Sequence, residues 1–388
     1  GLHPGRAGLS SWSSQEEHEW DRMLRDSVEC MEVEPQDVDI QTDGARIIYL
    51  IFNLKNKNHS LKEKQHRATS KPLNSRWWDV NSEYTEDKDE DEEEDDNISD
   101  AGERDKLVTD SIEAVLHAME DFPDEEQLQE ETAVALEAMT ASSNNNNGKN
   151  GHKNGGGGMF PQSTIHRIVE EILVALEGFA DNPGIVASGF GVLYNVSEQA
   201  NHATGGRSSL AANNPKLAKY ALSSILHGMK EHRDDVELYT KGCTAIANLT
   251  QQSHFAQQLL ICKEPLGLRI VSEGLKIKKH LNMYDNSQEW EENLVMRSAA
   301  TSVLLNCSTH PSLEVKGKIV LGGGAAYSID RFVDNLHRSS KDLDDTKNNT
   351  NYTDDKFVTM LVKNIEETLR IFENLANIES IVTKDNAN

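Results

Sequence analysis

The chain is 388 residues long, 37% hydrophobic and only 6% aromatic, with a formal charge of −26 at pH 7. That length fits one to three domains, and so few aromatic residues argue against one large aromatic-rich core. The acidic balance disfavours general binding to nucleic acid or to an anionic membrane, since both reward basic surfaces.

Cysteine usage and hydropathy narrow the class. Cys30, Cys243, Cys262 and Cys307 form no CxxC pair and show no close Cys/His spacing of a zinc site. Four thiols in so long a chain point to a reducing compartment, so the expected location is the cytoplasm, with the nucleus as second choice. The longest strongly apolar run, Ile47–Phe52, is far too short to cross a bilayer. No signal peptide is visible. The chain opens on Gly rather than Met, as a fragment lacking its true N-terminus would, so that absence carries little weight.

In chain order, residues 1–54 hold the first periodic segment, Leu24–Ile48 (LRDSVECMEVEPQDVDIQTDGARII). Residues 55–105 are first basic (Lys55, Lys57, Lys62, Lys64, Arg67, Lys71, Arg76), then strongly acidic from Glu86 to Asp96. Too little apolar surface is present to offset the entropy of ordering, so this stretch is expected to be a disordered insert whose halves pair in cis. The basic half with Trp77 and Trp78 would alternatively bind an acidic partner or act as a nuclear address. Residues 106–141 hold the second periodic segment, Ile112–Met139 (IEAVLHAMEDFPDEEQLQEETAVALEAM), and an Asn- and Gly-rich linker covers 142–158.

The remainder, 159–388, holds four more segments. Ile168–Ser197 breaks at Asn182-Pro183. Leu222–Ile246 reads LSSILHGMKEHRDDVELYTKGCTAI. Leu266–Cys307 predicts helices near Leu268–Lys278 and Glu292–Asn306. Ile319–Ile378 predicts helices near Ala326–Arg338 and Lys356–Asn377, separated by an acidic insert over 341–355.

These segments are copies of one pattern. Leu24–Ile48 aligns without a gap on Leu222–Ile246 at an offset of 198, placing Met31 on Met229, Val38 on Val236 and Gly44 on Gly242. Ile112–Met139 aligns on Leu222–Leu249 at an offset of 110, placing Met119 on Met229, Leu128 on Leu238 and Ala133 on Cys243. Each copy has a first helix with an apolar stripe at i, i+3, i+4 and i+7, as in Leu222, Ile225, Leu226 and Met229. A break with Pro or Asp follows (Pro35-Gln-Asp, Pro123-Asp, Arg233-Asp-Asp), because Pro starts a helix and Asp caps one. A second helix then carries a small residue at the Gly242 place, which permits close approach. Such a pair cannot bury its stripe alone, so stacking of copies is required.

Met229–Asp235, then Gly242-Cys243, then Ala245-Ile-Ala-Asn248-Leu resemble an armadillo-like repeat. The ending recurs at Val192-Leu-Tyr-Asn195-Val, Leu304-Leu-Asn306-Cys and Phe372-Glu-Asn374-Leu. Gly322–Ile329 and Pro265–Val271 resemble the Gly-rich opening of a first helix. The resemblance covers roughly half to two-thirds of the chain. It implies an all-α fold, a right-handed α-solenoid of five or six repeats with disordered inserts. In peptide-binding members, the Asn near the end of the last helix bonds the backbone of an extended peptide. The matching positions are Asn195, Asn248, Asn306 and Asn374, with Leu50 and Ala138 in the first two copies. The competing reading is that each Asn only bonds a neighbour and stabilises its own repeat. Nuclear-import members place Trp four residues earlier, whereas this chain has Gly191, Thr244, Ser302 and Arg370, so recognition of basic import signals does not follow.

Other constellations favour structural roles. Gly155–Gly158 and Gly322–Gly324 lack the Lys-Ser/Thr of a phosphate loop. His227 and His232 do not share a helix face. Met31, Met119 and Met229 are core by periodicity. Asn195, Asn248 and Asn306 each begin an Asn-x-Ser/Thr triplet on a predicted packed helix, which reads as a chance match to a glycosylation acceptor. No nucleophile context, cofactor or metal site is expected. The expected function is that of a non-catalytic, monomeric scaffold or adaptor that binds a protein or peptide along its concave face. The alternative is a regulatory or targeting region of a larger enzyme.

Overall fold

The computed structural model describes residues 14–69, 98–145, 160–203, 214–251, 253–264, 266–275, 287–321 and 355–376. Among them are 13 α-helices, one π-helical turn and no strand, so the chain is all-α as its periodicity predicts. The acidic run at Glu86–Asp96, Trp77 and Trp78, the glycine tracts and the predicted helix at Ala326–Arg338 lie outside the described residues.

The first four copies each supply two long helices. These are α1 (Ser14–Val33) and α2 (Val38–Thr69), α3 (Ile98–Asp121) and α4 (Glu126–Asn145), α5 (Gln162–Gly178) and α6 (Pro183–Ala203), and α7 (Pro215–Glu231) and α8 (Val236–Thr250). Then the pattern loosens. Helix α9 (His254–Gln258), the π-helical turn (Leu259–Lys263) and α10 (Gly267–Glu273) precede the long α11 (Ser287–Ser308). Helix α12 (Leu313–Leu321) precedes α13 (Asp355–Ala376).

Local chemistry fixes the breaks. Asp37 Oδ1 accepts from the backbone N–H groups of Asp39 and Ile40 at 3.0 and 3.1 Å. Asp235 accepts from Leu238 N–H at 2.9 Å, and Asn182 from Gly184 and Ile185 at 2.8 and 3.1 Å. These are N-caps, which satisfy amides that have no partner within the helix. In the second copy α4 starts at the equivalent place, Glu126, but Glu125 stands where Asp37 and Asp235 cap, and Asp124 lies in the turn. The preceding helix is closed from the other side. Gln41 Nε2 donates to Met31 O and Glu34 O at 2.8 and 3.0 Å, and Gln129 Nε2 to Met119 O and Phe122 O at 3.0 and 3.1 Å.

Three expected boundaries move. Helix α2 continues to Thr69 and α3 begins at Ile98, so both ends of the 55–105 stretch are helical. Helix α4 likewise runs to Asn145, into the predicted linker. In α2 the extension is rich in Lys, with Leu61, Glu63 and Gln65, good helix formers that prolong a helix already nucleated by packing.

The helices lie in two rows. Along one, α2 packs on α4, α4 on α6, α6 on α8, α8 on α11 and α11 on α13. Along the other, α1 packs on α3, α3 on α5 and α5 on α7, while each of these also packs on its own second helix. A single apolar cluster runs from Leu24 to Leu375, and the predicted stripes lie in it. A close approach recurs between partner helices. A Cβ on Gly44 would lie 2.5 Å from Met31 Cγ, one on Gly242 2.6 Å from Met229 Cγ, and one on Gly189 2.9 Å from Leu176 Cδ2. Thr132 takes this place in the second copy and folds its hydroxyl back onto Leu128 O at 2.8 Å.

The fifth copy departs most from expectation. In place of a long first helix near Leu268–Lys278, α10 ends at Glu273 and a turn closes at Leu275. The backbone here is held from two sides: the Tyr239 hydroxyl donates to Ile270 O, and a Cβ on Gly267 would lie 2.5 Å from Leu260 O in the π-helical turn.

Candidate functional site

Asn195 on α6, Asn248 on α8, Asn306 on α11 and Asn374 on α13 stand at one equivalent place on successive second helices. Each donates its carboxamide N–H to the second helix before it. Asn195 Nδ2 reaches Glu137 O and Thr140 Oγ1, both at 3.1 Å. Asn248 Nδ2 reaches Tyr194 O at 3.3 Å. Asn306 Nδ2 reaches Ala247 O at 2.8 Å and Thr250 Oγ1 at 3.4 Å, and Asn374 Nδ2 reaches Ser308 Oγ at 3.0 Å.

One rule covers these bonds. Aligning Asn195, Asn248, Asn306 and Asn374 with Ala138, each acceptor carbonyl lies one residue before the equivalent place in the preceding copy. Each acceptor hydroxyl lies two residues after it. Thr250 and Ser308 can accept because their own hydroxyl protons go to Ile246 O at 2.8 Å and Leu305 O at 2.7 Å. The Asn374 rung uses the hydroxyl place and the Asn248 rung the carbonyl place. Ser197 occupies the hydroxyl place in the latter, and its buried Oγ makes no hydrogen bond. In the first joint, where α4 has Ala138 in the donor place, Asn56 Nδ2 of α2 donates forward to Ala138 O at 3.2 Å instead.

The Asn-x-Ser/Thr triplets lie on packed helices, as expected for chance matches to a glycosylation acceptor, and two of them carry bonds between copies. In Asn248-Leu-Thr250 and Asn306-Cys-Ser308, the Asn serves the joint behind and the hydroxyl serves the joint ahead. Asn195 is buried. The recurrence of the triplet at one place in three copies was the signal available in the sequence. Its meaning needed the neighbouring helix.

One turn earlier lie the positions where import proteins carry Trp. Gly191 is covered by the Glu137 carboxylate, which would collide with any Cβ there and which accepts from Lys241 Nζ at 2.8 Å. Thr244 folds its hydroxyl onto Thr240 O at 2.7 Å, and Ser302 donates to Glu367 Oε2 at 3.1 Å. Arg370 is exposed. Arg46 crosses from α2 to Glu131 of α4 at 2.7 Å, and that hydrogen bond holds its pKa above the ordinary guanidinium value. Burial, then the Glu198 carboxylate, push the Tyr194 phenol up to about 12. Arg46–Glu131, Glu137–Lys241 and Ser302–Glu367 thus bridge different copies along the second-helix row.

Burial raises the pKa of the Cys243 and Cys307 thiols, which keeps them neutral and poorly nucleophilic. His232 Nε2 sits 2.8 Å from Ala180 O, tying one first-helix break to another. Among the described residues no three His, Cys, Asp or Glu side chains gather to hold a metal ion, and no helix is long and apolar enough to cross a membrane. No protein-family model, curated protein or solved structure matches the chain.

Proposed function

We propose that the chain is a right-handed α-solenoid of armadillo-like repeats that acts as a protein-interaction scaffold. It binds an extended peptide or a helix along the row of second helices. The observation that carries this reading is the repeated asparagine rung, which puts one carboxamide per repeat in register along α6, α8, α11 and α13. A stack whose units contact only their neighbours presents a long, regular surface, which suits a partner that is itself extended. The carboxamide N–H groups of Asn195 and Asn306 already bond the preceding helix, so the partner is contacted by side chains between the rungs.

The test is site-specific photo-crosslinking in cell extract. A benzophenone side chain replaces Thr244 or Ser298 on the second-helix row, or Tyr220, which is 63% exposed on a first helix. Partner adducts at the first two positions and none at Tyr220 are expected. Adducts confined to Tyr220 would place the binding surface on the other row and refute this reading.

A further inference from the structure

The outer face of the first copy is apolar. On α2, Asp43, Ile47, Leu50, Leu54 and Lys57 follow one another at alternating steps of four and three residues, the spacing of a helix–helix seam. All five are exposed, and Ile47, Leu50 and Leu54 are 37%, 47% and 37% exposed.

Equivalent places in the other copies are covered. Ile47 corresponds to Ala135, Val192, Ala245 and Val303, each fully buried. Met23 on α1, 40% exposed, corresponds to Ser111, Ile168 and Ala221, again fully buried. The later copies each have a copy before them, and α1–α2 has none among the described residues. The stripe is therefore a joint surface without its neighbour. Terminal units of a stack turn a polar face to water, and a contiguous exposed apolar patch marks an interaction site.

Charge selects the occupant. The stripe is centred on Leu50, with an apolar residue on each side, an acid at one end and a base at the other. Laid antiparallel on a second copy of itself, Leu50 meets Leu50, Ile47 meets Leu54 and Asp43 meets Lys57. Two-fold symmetry makes the last two contacts occur twice. A parallel arrangement would set Asp43 on Asp43 and Lys57 on Lys57, which like-charge repulsion disfavours. Asp43 already lies 3.2 Å from Arg46, but the shorter contact of that guanidinium, 2.7 Å, is to Glu131, and the Asp43 side chain is 71% exposed. It can take a second cation.

We propose that two copies of the chain associate as a two-fold symmetric dimer, α2 against α2 and antiparallel, with Leu50 on the axis. This departs from the monomer expected from sequence. It also explains why Leu50 stands where later copies carry Asn: the facing surface is apolar, and an antiparallel helix offers no matched acceptor behind it. The inference rests on the alignment of the copies and on charge, and does not depend on the scaffold role.

The test is the mass of the full chain by light scattering and sedimentation over a wide range of concentration. The wild type should reach twice the mass of one chain and stop there. Leu50→Asp sets two carboxylates against each other on the axis and should give a single-chain mass with unchanged circular dichroism. D43K and K57D should each lose the dimer alone. The double variant D43K/K57D should regain it, and a mixture of the two single variants should form the mixed dimer. A wild type that stays a single chain, growth to larger assemblies as a head-to-tail stack would give, a dimer indifferent to Leu50→Asp, or no recovery on charge exchange would each overturn the proposal.

Discussion

Glu137 on α4 and Lys241 on α8 meet at 2.8 Å by reaching across the helix that lies between them. The path runs over Gly191, and a Cβ there would collide with the Glu137 carboxylate. With side chains 26% and 29% exposed, the pair contributes roughly 0–1 kcal/mol. Lys241→Ala should therefore cost less than about 1 kcal/mol alone, and nothing further once Gly191→Ala has displaced Glu137. A double-mutant cycle by chemical denaturation reads this, and full additivity would show that the glycine does not govern the pair.

The donor role of the rung asparagines is tested by charge and shape together. Asn306→Ala removes two hydrogen bonds, each worth about 0.5–1.5 kcal/mol, so a loss of about 1–3 kcal/mol is expected. Asn306→Asp is nearly isosteric but sets a carboxylate against two acceptor oxygens, Ala247 O and Thr250 Oγ1. At pH 7 it should destabilise more than Ala. A milder effect of Asp in equilibrium unfolding would mean that Nδ2 is not the atom facing α8.

Packing at the helix break makes a second stability prediction. Gly242→Leu should destabilise by on the order of 1–3 kcal/mol, because Met229 Cγ and Sδ already stand 2.6 and 2.7 Å from where a Cβ would lie. In a Met229→Ala background the added side chain has room, so the penalty should shrink. Equal penalties in both backgrounds, read from denaturation midpoints, would remove Met229 as the cause.

His310 introduces a dependence on pH. Its Nδ1 accepts the Ser312 backbone N–H at 3.0 Å, which requires a neutral ring, and its centroid lies 5.1 Å from that of His254 in an edge-on arrangement. Burial, then His254, and also Lys316, hold its pKa below the ordinary imidazole value, while a backbone hydrogen bond at His254 pulls the other way. The folded state therefore favours the neutral ring. This contribution is fully present above the unfolded pKa of about 6.5 and is lost as pH falls below it. Between pH 7.5 and 5 the wild-type melting temperature should fall more steeply than that of His310→Gln, and parallel curves would exclude His310.

Much of this architecture was legible before any coordinates. The offset of 198 residues pairs Met31 and Gly44 with Met229 and Gly242, and those residues do meet across both helix breaks. Asp37 and Asp235 cap as their place after the break predicts, since capping is local chemistry. The π-helical turn and the short α10 were not legible, because the side chains that hold them belong to other helices. The ends of α2 and α3 were missed for a different reason. Low apolar content speaks to whether a segment can build a core, and says little about whether it extends a helix already packed. Of the candidate site, sequence located all four asparagines but not the direction of their bonds.

The rung also bears on how such a chain grows. A short triplet carries both a donor for the unit before it and an acceptor for the unit after it, as in Asn248-Leu-Thr250 and Asn306-Cys-Ser308. A unit duplicated or excised in the gene therefore arrives or leaves with matched half-joints, and the new neighbours can bond without compensating substitutions. Descent by copying is favoured in a chain built this way, and the offsets still readable between its distant segments are what such a history leaves behind.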